Sequence, residues 1–359
     1  MDITTVAEAL AFIRRAVAED NQELLNLEKM CAQGTGLVLL FDRSPDFFRR
    51  SQVYEDFKVY VAEVNGKIIG TIASTGKEFS LSGKKAKGIY IYDLRVNPDH
   101  RGKGIGSSLI HKALEGADDA DLAYGIIMEE NNPSIALFEK MGFRNIHDPV
   151  LFNIPLYARK EQATPKVRVM TLDDVSDVVN LLNDHYRNRD FSSPISQTGF
   201  QKQAERLPGY GLQRIQVIED ERRIAACAGV WDYSEIFRIS VLHMSTKLRM
   251  LTYFLRFINI FKKTMRLPSV GEPFRLMYVR DFAFAEKTDV AKELIEHCLS
   301  LAYSNGCSFL SFVLDPADPA IHLLTEYKPI KITYHLYAKS LKEEDLTSSN
   351  MVHIDSADL

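Results

Sequence analysis

Apolar and polar residues alternate from Lys58 to Glu63, break at Asn65-Gly66, and resume from Ile68 to Ser74. A period of two puts one strand face on a core, and Asn-Gly accepts the backbone of a tight hairpin turn, so the pattern predicts two antiparallel strands. A further strand starts at Tyr90 after a Gly/Lys-rich loop from Ser82 to Gly88, and Asn97-Pro98 ends it. The spacing then lengthens: Ile105, Leu109, Ile110, Ala113 and Leu114 fall on one helical face. Upstream, Val6 to Val17 and Asn21 to Met30 also read as helices, and Ser44-Pro45-Asp46 reads as a helix start. Downstream come a strand from Tyr124 to Met128, a helix from Ser134 to Met141 with Pro133 in its first turn, and a strand from Val150 to Leu156.

The polar run Arg159 to Pro165 reads as a linker, after which the pattern starts again. A helix from Asp173 to Leu182, a strand pair at Gln213 to Glu219 and Ile224 to Trp231, and a strand from Met277 to Phe284 follow in the same order. Val290, Leu294, Ile295, Cys298 and Leu299 repeat the apolar steps of the first helix. Pro319-Ala-Ile-His-Leu answers Pro133-Ser-Ile-Ala-Leu, and Leu336-Tyr-Ala-Lys answers Leu156-Tyr-Ala-Arg. The chain is an internal repeat. Asp281 lies 188 positions after Asp93, but Ile295 lies only 185 after Ile110, so three residues are missing between strand and helix in the second copy. They fall where the first copy is glycine-rich; Ala285-Glu-Lys-Thr-Asp289 stands there instead, without glycine and with two carboxylates.

Composition narrows the class without choosing a function. With 359 residues the expected domain count is two, and 46% hydrophobic with 26% charged residues is the make-up of a globular protein. A net charge of −4 gives no overall attraction to nucleic acid or anionic membrane. The N-terminal Met-Asp-Ile-Thr-Thr carries no basic region and no long apolar run, so neither a secretory signal nor a spanning helix is expected. Cys31, Cys227, Cys298 and Cys307 lack paired or metal-ligand spacing, which predicts reduced core thiols, a cytoplasmic setting and no metal site. One segment departs from this balance: Val241 to Phe274 carries Lys247, Arg249, Arg256, Lys262, Lys263 and Arg266 among Leu, Phe and Ile. It reads as an amphipathic helix with a solvated basic face, or as a basic surface for an acidic partner or a phosphate.

Gly102, Gly104 and Gly106 precede the helix of the first copy, where backbone N–H groups and the helix dipole favour an anion. A phosphate or pyrophosphate cradle is expected. The order of residues is wrong for Gly-x-x-x-x-Gly-Lys-Ser/Thr, and the glycine spacing is wrong for Gly-x-Gly-x-x-Gly. What fits is Arg/Gln-x-x-Gly-x-Gly/Ala, filled by Arg101, Gly104 and Gly106. With Asn132, Ala136, Gly142 and Phe143 further on, this stretch resembles the two CoA-binding segments of the GNAT N-acetyltransferase superfamily. Leu267-Pro-Ser-Val270, Glu272-Pro-Phe274 and the Leu-Tyr-Ala ends of both copies resemble, more weakly, the plant HOOKLESS-type tandem acetyltransferases.

The resemblance implies an α/β fold with a mixed sheet in two tandem copies. Residues 1–160 would form the acetyl-CoA-binding domain, 161–165 a linker, 166–341 a degenerate copy and 342–359 a polar tail. It implies that Leu94, Arg95 and Val96 hold the pantetheine and thioester through backbone groups. Arg101, Gly102, Lys103, Gly104, Ile105, Gly106 and Ser107 would hold the pyrophosphate, and Asn132 and Ser134 the pantetheine arm. The early helices would line the acceptor side. An alkylammonium cannot attack a thioester, so a base or water chain must take its proton. Asp93 is the only carboxylate on the strand, Tyr92 is a candidate acid, and Tyr90 occupies the place where some family members carry a base. Phe138 stands where many carry a tyrosine that protonates the thiolate, so the usual acid is absent. Glu129 and Glu130 could meet a cationic acceptor.

The expected function is acetyl-CoA-dependent N-acetyl transfer to a small-molecule or protein amine, by direct attack in the first copy. The alternatives are a CoA-binding sensor or scaffold without transfer, and an active second copy beside a dead first one. No nucleic acid or membrane partner is expected, and the state is monomer or homodimer.

Overall fold

The computed structural model describes residues 11–34, 36–157, 166–259, 268–285, 287–342, 346, 348 and 350–359. The expected linker, Glu286, and the cations Lys262, Lys263 and Arg266 lie outside them. The first half runs β1 (Phe12–Arg15), α1 (Asn21–Met30), β2 (Leu37–Asp42), β3 (Phe57–Val64), β4 (Lys67–Leu81) and β5 (Lys84–Val96). It continues with α2 (Ile105–Leu114), β6 (Leu122–Met128), α3 (Asn132–Lys140), β7 (Arg144–His147) and β8 (Val150–Pro155). The second half runs β9 (Val167–Val169), α4 (Val175–Tyr186), α5 (Gln197–Arg206), β10 (Ile215–Asp220), β11 (Arg223–Asp232), β12 (Arg238–Met244) and α6 (Thr246–Asn259). It closes with β13 (Pro273–Phe274), β14 (Leu276–Phe284), α7 (Thr288–Ser304), β15 (Phe309–Leu314), α8 (Ile321–Thr325) and β16 (Ile330–Ser340).

Among the described residues thirteen strands form one mixed sheet in the order β1-β3-β4-β5-β6-β16-β8-β15-β14-β11-β10-β9, with β7 also on β16. The parallel pairs are β5 with β6 and β14 with β15, one in each half, each bridged by a crossover helix, α2 or α7. The fold class is therefore the expected mixed α/β one. The halves exchange their last strands: β16 of the second half pairs with β6 of the first, and β8 of the first pairs with β15 of the second. That exchange seals the sheet across the middle. α2 packs Leu109 and Ile110 onto the first half, and α7 packs Leu294, Ile295, Cys298 and Leu299 onto the second. The opposite face carries one cluster spanning both halves, with Leu24 and Leu25 of α1, Val178 and Leu182 of α4, and Phe200 of α5.

Four expectations need correcting. Phe12–Arg15 is an edge strand on β3, because four residues with mixed exposure satisfy a sheet edge as well as a helix. Ser82 to Gly88 is not a loop: Ser82-Gly83 makes the turn, and the alternating Lys84-Lys-Ala-Lys-Gly88 continues the hairpin. Residues 350–359 are no solvated tail; Val352, Ile354, Ala357 and Asp358 are buried, and Val352 N donates to Asp315 Oδ2 at 2.7 Å. In α6 the buried side is met by a second apolar stripe that faces outward, Met250, Tyr253, Phe254 and Phe257. All four cysteines are buried and unbridged. Among the described residues no helix is long and apolar enough to cross a membrane, and no cluster is suited to a metal.

Candidate functional site

β5 and β6 pair only from Gly88–Tyr90 to Leu122–Tyr124, and then they part. β5 stays on β4 to Val96 and β6 stays on β16 to Met128, so the strands splay like an open fork with one unpaired edge of β5 facing the gap. Gly125 makes room at the fork: a Cβ there would lie 2.7 Å from Phe138 Cε1 and 3.3 Å from the Ile91 carbonyl oxygen. Past β5, Pro98–His100 form a short turn, Asn97 Oδ1 accepts from Asp99 N, and the glycine-rich loop delivers α2. Gly102 and Gly104 have φ of 78° and 81°, which glycine adopts at little cost. Gly104 caps α2, and nothing lies within 4 Å of where its Cβ would be. Gly106 is glycine for closeness, since a Cβ would lie 2.8 Å from Leu137 Cδ2 of α3.

Loop and fork open into one cleft of about 980 Å³. Leu94, Arg95, Val96, Arg101, Gly102, Gly104, Ile105, Gly106, Ser107, Asn132 and Ser134 all line it, so the structure brings these expected cofactor residues together. Lys103 is exposed and does not line it. Ile105 contributes backbone only, its side chain being in the core. Arg101 folds back so that its Nε donates to the Val96 carbonyl oxygen at 3.2 Å. An elongated anion with a slender arm fits: helix N–H groups at one end, an unpaired strand edge at the other. Cys31 to Gly34, at the end of α1, form a wall that no local pattern announced. Only the packing of α1 across the sheet places them there.

The expected catalytic residues lie behind this cleft, in a different role. Asp93 has φ of 54° at a bulge against β4 and is buried. Arg43 grips it in a fork at 2.6 and 2.8 Å, Arg95 Nη1 reaches it at 2.9 Å and Arg50 Nη1 at 3.0 Å. Arg43 and Arg95 also pair with buried Glu28, at 2.8 and 3.1 Å. Burial pushes the Asp93 carboxyl up, but the three guanidiniums outweigh it and hold it far below the usual carboxylate range. A carboxylate so held is a weak base. Tyr92 is buried with its ring against the Arg50 guanidinium, and burial raises its hydroxyl. Tyr90 stacks on Tyr92 and Tyr124, and its hydroxyl donates to the Asp358 carbonyl oxygen. Glu129 and Glu130 sit at the cleft's rim, and Phe138 is buried against Phe143.

The second half keeps the scaffold without the loop. Asp281 repeats the bulge with φ of 48°, paired with Arg280 Nε at 3.2 Å and Tyr210 Oη at 2.6 Å. β14 ends at Phe284 and α7 starts at Thr288 with Asp289 in its first turn. Lys287 is engaged by Asp220 at 2.5 Å. An acidic first turn with no glycine offers no phosphate cradle.

Residues 21–143 match the model of the acetyltransferase (GNAT) family. Along 357 aligned residues the chain is 24% identical to the probable N-acetyltransferase HLS1 of Arabidopsis thaliana, covering 87% of this chain and 88% of that one. The probable N-acetyltransferase HLS1-like of the same plant is 23% identical over 290 residues, 73% of this chain and 68% of that one. Among solved structures, Saccharomyces cerevisiae N-myristoyltransferase with bound myristoyl-CoA superposes with a TM-score of 0.63 at 13% identity, over 97% of this chain and 89% of that one. That likeness is one of fold.

Proposed function

Residues 21–143 carry an acetyltransferase domain of the GNAT family in a chain that resembles HOOKLESS-type N-acetyltransferases along most of its length, and on that premise we propose that it moves acetyl from acetyl-CoA to a primary amine at the cleft of its first half. The chain is an N-acetyltransferase of this class, and an acyl-CoA is its cosubstrate. One observation supports the finer reading above others: the splayed β5–β6 fork and the glycine-rich N-terminus of α2 open into the same cleft of about 980 Å³. On this reading Gly102 to Ser107 hold the pyrophosphate, Asn132 and Ser134 flank the pantetheine arm, and the free edge of Leu94 to Val96 hydrogen-bonds it. Acetyl-CoA supplies an acyl group already activated as a thioester.

The residues of the chain position and polarise. Backbone N–H groups of β5 near Leu94 to Val96 stand where the carbonyl oxygen gains charge on attack. Behind them the buried cluster of Arg43, Arg50 and Arg95 against Glu28 and Asp93 carries one net positive charge, which favours that oxyanion. Asp93 serves there as an anchor that fixes the bulge and the guanidiniums. We take residues 1–160 as the active copy, 161–165 as a linker and 166–341 as a copy that lost its cofactor loop. The exchange of β8 and β16 makes the second copy a structural partner of the first.

A second reading, a CoA-binding sensor, draws on Phe138, which fills the expected acid's place with a buried ring. One experiment separates the two. The protein is mixed with acetyl-CoA and a panel of amines: a peptide with a free N-terminus, a lysine peptide, a polyamine and an amino sugar phosphate. Release of CoA thiol with one acceptor and a matching acetylated product is the expected result. Acetyl-CoA binding without release above the blank for any of them would leave the sensor.

A further inference from the structure

Two pairs of carboxylates lie at the junction of the halves, Glu28, Asp93 and Asp358 buried and Asp355 half-buried. Glu28 and Asp93 are spent on guanidiniums; Asp355 and Asp358, on the final turn, have no role above. Asp358 is 5% exposed, and its Oδ1 accepts from Tyr54 Oη at 2.9 Å and Lys77 Nζ at 2.5 Å. Among the described residues no hydrogen bond reaches its Oδ2. Asp358 lines a second cavity of about 540 Å³, with Tyr124, Tyr186, Asp281 and Asp355 among its walls. The other cations there are committed: Arg280 pairs with Asp281 at 3.2 Å and Asp355 at 3.0 Å, and Arg187 pairs with Asp184.

The position of this cavity matters. Tyr90, Tyr92 and Tyr124 point to one face of β5 and β6, whereas Ile91, Ala123 and Ile127 point to the α2 face. Tyr90 and Tyr124 are the last paired residues before the fork opens, and Tyr124 is a wall of the cavity. Asp358 stands on Tyr90 through its carbonyl, and Arg50 bridges Asp93 to the carbonyl oxygens of Asp358 and Leu359 at 3.3 and 2.9 Å. The cavity thus reaches the closed end of the fork, at Tyr124, from the face opposite α2. A carboxylate oxygen and tyrosine faces are the groups that recognise an alkylammonium.

We propose that this cavity is the acceptor site of the transfer and that Asp358 is its general base, binding the acceptor's ammonium and taking its proton. The proposal rests on the transferase reading above. R–NH₃⁺ gives one proton to Asp358. The freed nitrogen lone pair forms the C–N bond to the thioester carbonyl carbon, whose π electrons move to oxygen. As they return, the C–S bond breaks and its electron pair leaves on the thiolate. The thiolate takes the second proton from nitrogen through water, and Asp358 releases the first to solvent. The products are the amide, CoA thiol and one proton. The surroundings suit a base: burial and Asp355 hold the Asp358 carboxyl above the usual range, against the pull of Lys77 and Tyr54. The neighbours do not titrate beside it. Burial holds His353 down to about 4, Arg280 holds Asp355 ionised, Tyr54, Tyr90, Tyr124 and Tyr186 are pushed upward by burial, and Arg50 stays charged.

Asp358→Asn and Tyr54→Phe test this, with acetyl-CoA affinity as the check that the cosubstrate cleft survives. With the amine that releases thiol from the wild type, Asp358→Asn is expected to bind acetyl-CoA normally, to lose about 10²–10⁴-fold in kcat/KM, and to lose the acidic limb of its pH profile. Tyr54→Phe removes a donor to the carboxylate, so that limb moves to higher pH; this arm decides if the Asn variant fails to bind acetyl-CoA. An Asp358→Asn enzyme with wild-type kcat/KM and limb, or a limb unmoved in Tyr54→Phe, overturns the role of Asp358 while leaving the transferase standing. Acetyl-CoA binding with no release from the wild type for any amine overturns both.

Discussion

Replacing Asp93 by Asn distinguishes an anchoring carboxylate from a catalytic one. In the wild type three guanidiniums face two carboxylates in a buried pocket. Asn leaves three cations against Glu28 alone, and the forked Arg43 bonds at 2.6 and 2.8 Å lose their charge. Breaking one side of such a buried pair costs about 3–5 kcal/mol. At about 2–4 °C per kcal/mol for a large domain, Tm is expected to fall by roughly 6–20 °C. The sign with pH follows from the depressed carboxyl: its stabilisation is complete above the unfolded value of about 3.9 and is lost only as pH falls through the lower folded value. The gap in Tm between wild type and variant should therefore be constant from neutral to mildly acidic pH. The assay pairs thermal unfolding with kcat/KM against pH at a temperature where both proteins are folded. An Asn variant with wild-type Tm that has lost transfer and its acidic limb would refute the reasoning and make Asp93 the base.

Gly104→Glu should fold, since its Cβ meets open space and positive φ costs about 1–2 kcal/mol, yet a carboxylate beside a pyrophosphate should weaken acetyl-CoA binding at least tenfold by calorimetry. Unchanged affinity would place the cosubstrate elsewhere. His147 Nε2 meets Asp315 Oδ2 at 2.5 Å across the two halves, and that hydrogen bond raises the imidazole's pKa. Its stabilisation is full below about 6.5 and lost as pH rises through the higher folded value, so Tm should decline over that range in the wild type and flatten in His147→Gln. Residues 1–160 expressed alone leave the β6 edge, Leu122–Met128, without β16, and should aggregate unless residues 161–359 are co-expressed. A soluble, well-folded first half on its own would show that the strand exchange is dispensable.

Local spacing carried the legible part. Strand, proline turn, glycines and helix lie within one stretch of chain, so Arg101 to Ser107 and their cleft could be read before the fold was known. The repeat was legible in the same way, down to Asp93 and Asp281, which the structure sets at matching positive-φ bulges. The exchange of β8 and β16 was not, because which strand a given strand pairs with across the sheet leaves no mark on its local sequence. The last ten residues read as polar because Asp355 and Asp358 are. Their partners, Arg280, Lys77 and Tyr54, come from three distant segments. The role of Asp93 was misplaced for the same reason. Arg43 and Arg50 stand 50 and 43 positions away, and nothing near the strand announces them.

A crystal structure grown with CoA tests the central claim most directly. The account requires pyrophosphate density on the N–H groups of Gly102 to Ser107, with the pantetheine arm passing between β5 and β6 beside Leu94 to Val96. CoA bound instead at Ala285 to Asp289 of the second half, or lying outside the β5–β6 fork, would contradict it.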